Sequence, residues 1–417
     1  GAGAVDGSMR IVLVNHLHPS VPHVSGMRAW FFARELAARG HQVILICEWR
    51  PGAQAAPHPS DIGTQLDAHD WRSPLVVAIK PEVVAALARV RARETARLLR
   101  KMLVVWSYVR HSGMFTDFSR GAQPYLAPIA GRFKPTVVWG IAGNTNCWLI
   151  AQRLARLSGC RWVSDLKDAW DAWMPFGLRT LIARRFRDMA AATANSQFNA
   201  DVFQRWFSMR PEIVYSGATE DWLGRSPSRA EGFRVMLMGA IYQRRNLERL
   251  VRGFAQWVQS VPAGERHQIV LCYAGSDAAS VESATAELAG LVRVDIRGQV
   301  PLEALASLCR GAAVNMYLWS DATFHHKLIE LLCHRRPIIS FPGERPESVE
   351  LAQRVGGSLS VCGDEGHLQN VLSQVWAGGL QPTGEPERLL PLTWASQADL
   401  LEATLRRAAT EAPTCAH

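Results

Sequence analysis

No apolar run in this 417-residue sequence approaches the roughly 20 residues that a membrane-spanning helix needs. The apolar segments near the start, "IVLVNHL" and "VILIC", are strand-sized and separated by a helix-like stretch, so no signal peptide is expected. The segment "GAGAVDGS" before Met9 is expected to stand outside the fold. There is no internal repeat and no low-complexity tract, which excludes solenoids and disordered scaffolds. The eight cysteines (47, 147, 160, 272, 309, 333, 362 and 415) form no C-x-x-C and no zinc-type pairing with histidine. Several sit inside apolar patterns and read as small buried residues in a reducing cytosol. No nucleic-acid-binding motif or basic-aromatic sheet pattern accompanies the arginines, so a nucleic-acid partner is not expected.

What is present is the composition of a globular protein, 48% apolar and 20% charged, with a net charge of +9. The length exceeds one ordinary hydrophobic core and predicts two or three domains. From "RIVLVNH" (10–16) onward, continuous apolar strands alternate with amphipathic helices. Helix 27–40 ends at Gly40, strand 41–49 follows, then strand 135–143, helix 146–159, strand 161–170, helix 176–196 and strand 212–217. A second series runs through strand 233–241, helix 246–261, strand 267–275, helix 280–290, strand 292–300, helix 302–312, strand 313–319 and strand 337–341. Strands that are apolar throughout, separated by amphipathic helices, predict parallel sheets covered on both faces. The fold class is therefore α/β, two Rossmann-like doubly wound domains facing across a cleft, with a C-terminal helix returning to the first. Their expected bounds are 9–218, 231–392 and, for the crossover helix, 393–411.

The stretch "FHHKLIELLCHRRPIISF" (324–341) carries Lys327 and Glu330 three residues apart, hence on one face of a helix expected to begin near Phe324. A helix N-terminus with a lysine suits a pyrophosphate, and a nearby carboxylate suits the two hydroxyls of a ribose. Phosphate plus ribose describes a nucleotide. The competing reading is a solvated Lys/Glu pair on a surface helix.

The surrounding segments bear on that choice. "RGQVPLEALASLCRGAAVNMYLWSDATFHHKLIELLCHRRPIISF" resembles the carboxyl-terminal domain of GT-B glycosyltransferases of retaining family 4. "LMGAIYQRRNLERLVRGF", "DLKDAW", "TANSQFNADVFQRWF…EIVYSGATEDW", "VNHLHPSVPHVSGMRAWFFARELAARGHQV" and "LTWASQADLLEATLRR" are similar to other motifs of that family in order and spacing. The resemblance spans about residues 10 to 408. It implies transfer of a sugar from a nucleoside-diphosphate sugar to an acceptor hydroxyl, with retention and without a metal. Glu330 would bind the donor ribose. Arg245 and Lys327 would stabilise the leaving diphosphate, with Arg244 and His326 adding positive charge. Gly26, Gly239, Gly275 and Val300 would line the donor, and Asp321 would meet its sugar. Asp168 would contact the acceptor hydroxyl or, equally, order its loop with Trp170.

The sequence also departs from that pattern. The first glutamate of the E-x7-E pair is Ala322, an expected arginine is Ala240, and the glycine of a G-x-P turn is Arg335. A catalytically silent nucleotide- or glycan-binding partner protein is therefore the alternative reading, and a natural-product glycosyltransferase with a soluble acceptor is another. No D-x-D stands between apolar strand residues, and His16, His18 and His23 in the first loop lack a clear carboxylate beside them, so no metal is expected.

The basic residues cluster in "VVAALARVRARETARLLRKMLVVW" (83–106). Read as one helix, Arg89, Arg93, Arg97 and Arg100 form one stripe, and Val83, Leu87, Val90, Leu98 and Met102 another. That stripe is either a solvated face or an interfacial helix near anionic lipid headgroups, as an acceptor carried on a polyprenyl diphosphate would require. The expected location is cytoplasmic, peripheral on the inner face of the membrane, in bacterial surface polysaccharide or glycolipid assembly.

Overall fold

A computed structural model describes residues 7–410, apart from 93–94, 114–115, 143–144, 171–173, 224, 226–231 and 379–381. The chain divides into two compact units, Gly1–Ser216 with Gln397–His417, and Gly217–Ser396.

The first unit is built on a seven-stranded parallel sheet of β1 (Arg10–Val14), β2 (Gln42–Glu48), β3 (Leu75–Ile79), β4 (Val137–Ala142), β5 (Arg161–Leu166), β6 (Ala191–Ala194) and β7 (Glu212–Ile213). Its order is β3-β2-β1-β4-β5-β6-β7. Val12, Ile44, Val77, Trp139 and Val163 are buried because helices cover both faces, which is why these strands are apolar without alternation. Trp148, on helix Asn146–Ser158, packs its ring against Trp162, Trp170, Phe186, Phe203 and Phe207 and forms the centre of that core.

The second unit carries a six-stranded parallel sheet of β8 (Phe233–Met238), β9 (Ile269–Ala274), β10 (Arg293–Arg297), β11 (Val314–Leu318), β12 (Ile338–Phe341) and β13 (Leu359–Val361), in the order β10-β9-β8-β11-β12-β13. Both sheets thus share one arrangement. The chain builds outward from a first strand, then crosses to that strand's other side. Between β1 and β4, and between β8 and β11, successive connections leave in opposite directions, and the crevice opened there at the carboxyl ends is where such sheets bind ligands. The α/β class of two doubly wound sheets is what the structure shows.

Three expectations change. The helix expected over 176–196 is a 3-10 turn Phe176–Leu178, a helix Arg179–Arg185 and the strand β6. Asp188 fixes the turn between them by accepting from Trp162 Nε1 (3.1 Å), Gln152 Nε2 (2.7 Å) and Arg156 (2.8 Å). "AATA" then pairs with β5 although alanine favours helix, because a sheet position overrides intrinsic preference. The helix expected to begin near Phe324 begins at Lys327, so Lys327 opens it rather than standing one turn inside.

The third change concerns 83–106, which is not one helix but two, Ala85–Arg91 and Arg97–His111. The break removes the common register on which both stripes rested: Leu87 and Val90 enter the core while Val83, Leu98 and Met102 remain exposed. Arg89, Arg97 and Arg100 are exposed, and Arg93 lies outside the described residues.

Candidate functional site

In the second unit the sequence makes a crowded, charged corner where β8 and β11 end. Gly239 follows β8 with φ +91°, a conformation that suits glycine, and a Cβ there would fall on the Lys327 ammonium, 1.8 Å from Nζ. Gly275 follows β9. A Cβ on it would meet the Tyr273 hydroxyl at 2.3 Å and the Gly239 carbonyl at 2.7 Å. Tyr273 holds these two turns together, donating to Gly239 O (2.9 Å) and accepting from Asp277 N (3.1 Å). The Asp277 carboxylate accepts in turn from Ile241 N (3.0 Å). Side-chain-free backbone, locked in place at a switch point, is a surface that a ligand can approach closely.

The charges lie beneath that surface. Lys327 is buried, and burial brings its pKa down to about 8, against the pull of Glu330 and Asp277. Glu330, one helical turn on and half-buried, is pushed up to about 7 by burial, with Lys327 opposing. A buried ammonium whose charge is only partly compensated is stabilised by an arriving anion.

His325 was not singled out from the sequence, yet it is fully enclosed. Its Nε2 accepts from Ser320 N (2.8 Å), and its pKa falls to about 4 through burial, then Lys327 and Arg345. Nε2 also lies 3.2 Å from Ser320 O, and Nδ1 is buried without a hydrogen-bond partner among the described residues. The rings of Tyr242 and Tyr317 pack against it. Histidine type alone gave no signal for this position; burial did.

The other residues named from the sequence divide. Gly239, Gly275, Lys327 and Glu330 come together at this corner. His326 stands half-buried beside it as the residue before the helix. Arg245 is exposed in the first turn of helix Arg244–Ser260, which follows β8. Arg244 is also exposed and is held by Glu248 (2.9 Å) and the Ser283 hydroxyl (3.0 Å). Val300 lies past β10, half-buried, and Asp321 is exposed after β11, its carbonyl accepting from Arg345.

In the first unit the corresponding switch point gathers the loop after β1 and the end of β5. Gly26 is buried at the start of helix Val24–Ala38, where a Cβ would press on the carbonyls of His18 (3.2 Å) and Val21 (3.4 Å). His23 caps that helix, its Nδ1 accepting from Ser25 N (3.2 Å). His18 Nδ1 lies 2.7 Å from the Ser20 hydroxyl. Lys167, which sequence reasoning passed over, is buried and donates to Asn15 Oδ1 (2.9 Å). Burial brings its pKa down to about 8. Asp168 is exposed as a residue, yet the protein mass round its carboxyl pushes its pKa up, with Lys167 and His23 pulling it down. Asp165 does not share that setting. It is fully buried in a two-point ion pair with Arg28 (2.7 and 2.9 Å) and also accepts from Thr193 (2.7 Å), so it ties β5 to helix Val24–Ala38 instead of facing a ligand. Among the described residues, no group of three His, Cys, Asp or Glu side chains is placed to hold a metal ion.

No family model matches the sequence, and no curated protein matches it. Solved structures do. HepE of Anabaena in complex with UDP-glucose is similar at 14% identity over 96% of each chain, with a TM-score of 0.56. Sucrose-phosphate synthase of Thermosynechococcus elongatus is similar at 15% identity over 96% of each chain, TM-score 0.63. The N-terminal domain of trehalose-6-phosphate phosphatase of Candida albicans is similar at 13% over 98% of each chain, TM-score 0.65. Likeness of this extent at such low identity is likeness of architecture, and what it establishes is that this chain has the GT-B glycosyltransferase fold.

Proposed function

We propose that the protein is a glycosyltransferase that moves a sugar from a nucleoside-diphosphate sugar to an acceptor hydroxyl, with retention and without a metal ion. The observation that carries the proposal is the apposition of Gly239, Lys327 and Glu330 where β8 and β11 end. A diphosphate laid over the Gly239 turn meets the Lys327 ammonium, and a ribose beyond it meets Glu330. That HepE, similar in fold, has been solved with UDP-glucose supports a nucleotide-sugar donor here.

In this reading the glycosidic C–O bond to the diphosphate breaks through an oxocarbenium-like state. Lys327 and Arg245 stabilise the charge that develops on the leaving oxygens. The acceptor oxygen bonds the anomeric carbon from the same face, its proton passing to the departing phosphate, and Asp168 orients the acceptor hydroxyl. The acceptor is a lipid-linked glycan in bacterial surface polysaccharide or glycolipid assembly, reached by peripheral attachment to the cytoplasmic face of the membrane.

A thermal-shift series over UDP, GDP, ADP and dTDP, followed by release of free nucleoside diphosphate from the matching sugar donor, tests this. A stabilising nucleotide with turnover is expected. Stabilisation without turnover under any acceptor would replace the enzyme by a silent nucleotide-binding partner protein, the reading that Ala322 and Ala240 favour.

A further inference from the structure

We propose that helix Arg97–His111 docks the chain on an anionic lipid surface, inserting an apolar face that the fold leaves uncovered. Leu98, Leu99, Met102, Val105, Trp106 and Val109 are all exposed; Leu98 is 73%, Met102 62% and Trp106 46% accessible. At 3.6 residues per turn they fall on one continuous stripe, while Ser107 and Tyr108 on the opposite side are buried against the unit. Six exposed apolar side chains on one helix face form a contiguous patch of the kind that marks an interaction site. The helix also packs near the 3-10 turn Phe176–Leu178, where Phe176 is 80% accessible.

Charge identifies the occupant. The helix "RLLRKMLVVWSYVRH" carries Arg97, Arg100, Lys101 and Arg110 and no carboxylate. Lys101 and Arg110 flank the apolar stripe on its two sides. At the far end, burial and then the charges of Arg110, Arg120, Arg153 and Arg185 hold His111 below its usual range. Arg185 anchors the end of the helix, donating to Val109 O (2.8 Å). An uncovered apolar stripe edged by cations, with a tryptophan among its members, fits the boundary between anionic headgroups and acyl chains. A protein partner would more often meet mixed charge.

This deepens the peripheral attachment in the proposed function and rests on that reading only for the lipid-carried acceptor. The experiment is co-sedimentation of the full chain with phosphatidylcholine vesicles, with and without phosphatidylglycerol, at low and high salt. Variants L98Q/M102Q/W106Q and R97Q/K101Q/R110Q are compared, their melting curves and nucleotide binding serving as fold controls. Wild type is expected on anionic vesicles and about tenfold less on neutral ones. The charge variant should lose most of the salt-sensitive binding, and the apolar variant the part that survives high salt. Wild type absent from anionic vesicles, or both variants sedimenting as wild type does, overturns the proposal. So does light scattering that finds a dimer for wild type and a monomer for L98Q/M102Q/W106Q, which would assign the face to a second copy. Vesicle binding without sugar transfer would fail the proposed function and leave the docking face standing.

Discussion

In the proposed reading Glu330 is the residue that binds the donor ribose: it is half-buried, burial pushes its carboxyl up to about 7, and Lys327 is the charge that opposes this. Replacing Glu330 by alanine should cost about 1.5–3 kcal/mol of nucleoside-diphosphate affinity, roughly 12- to 160-fold, with little change in melting temperature. Calorimetric titration checks this, and unchanged affinity would remove Glu330 from the site. Lys327 and Glu330 could be named from the sequence because their spacing encodes a shared face. Lys167 and His325 could not, since a lone lysine or histidine has no periodicity, and their character comes from burial among segments distant in the chain. Asp165, three residues before Asp168 in "DLKD", is likewise set by a distant segment: Arg28, 137 residues earlier, claims both its oxygens.

At the scale of elements, helix Trp394–Thr410 is held to the first unit by Glu402, which accepts from Arg39 (2.8 Å), Arg406 (2.8 Å) and His41 (3.0 Å). Burial pushes this carboxyl up, but hydrogen bonds from Arg39, Arg406 and His41 outweigh it and bring the pKa down to about 2. The unfolded chain then binds the extra proton between about pH 4.5 and 2, so stability from this group is complete above that window and lost as pH falls through it. Glu402→Gln should cost on the order of 2 kcal/mol at neutral pH, after allowance for partial exposure, and flatten the acid limb of the stability profile. Urea denaturation from pH 7 to pH 3 would show it; parallel profiles for both proteins would not fit. Strands were the most legible elements, since β1, β2, β4, β8, β9, β11 and β12 are predominantly apolar, without strict alternation of apolar and polar residues. β6 was hidden by alanines that read as helix, and the break near residue 92 by side chains whose amphipathic pattern continues across it.

At the scale of the whole molecule, the proposed chemistry relies on protein cations for the leaving diphosphate. Sugar transfer should therefore persist in EDTA, measured as nucleoside-diphosphate release; loss on chelation, restored by magnesium or manganese, would contradict that account. The division of the chain has a kinetic consequence. The second unit is one uninterrupted segment, Gly217–Ser396, whose ends are joined by the bridge of Ala218 to Thr393. The first unit is interrupted, and the residues that complete it, from Gln397 onward, are synthesised only after the whole second unit. On a ribosome the order of completion is then the reverse of the order of translation. The sheet made second can close while the sheet made first still awaits Glu402, and Arg39 and His41 remain exposed to misplaced partners until helix Trp394–Thr410 emerges.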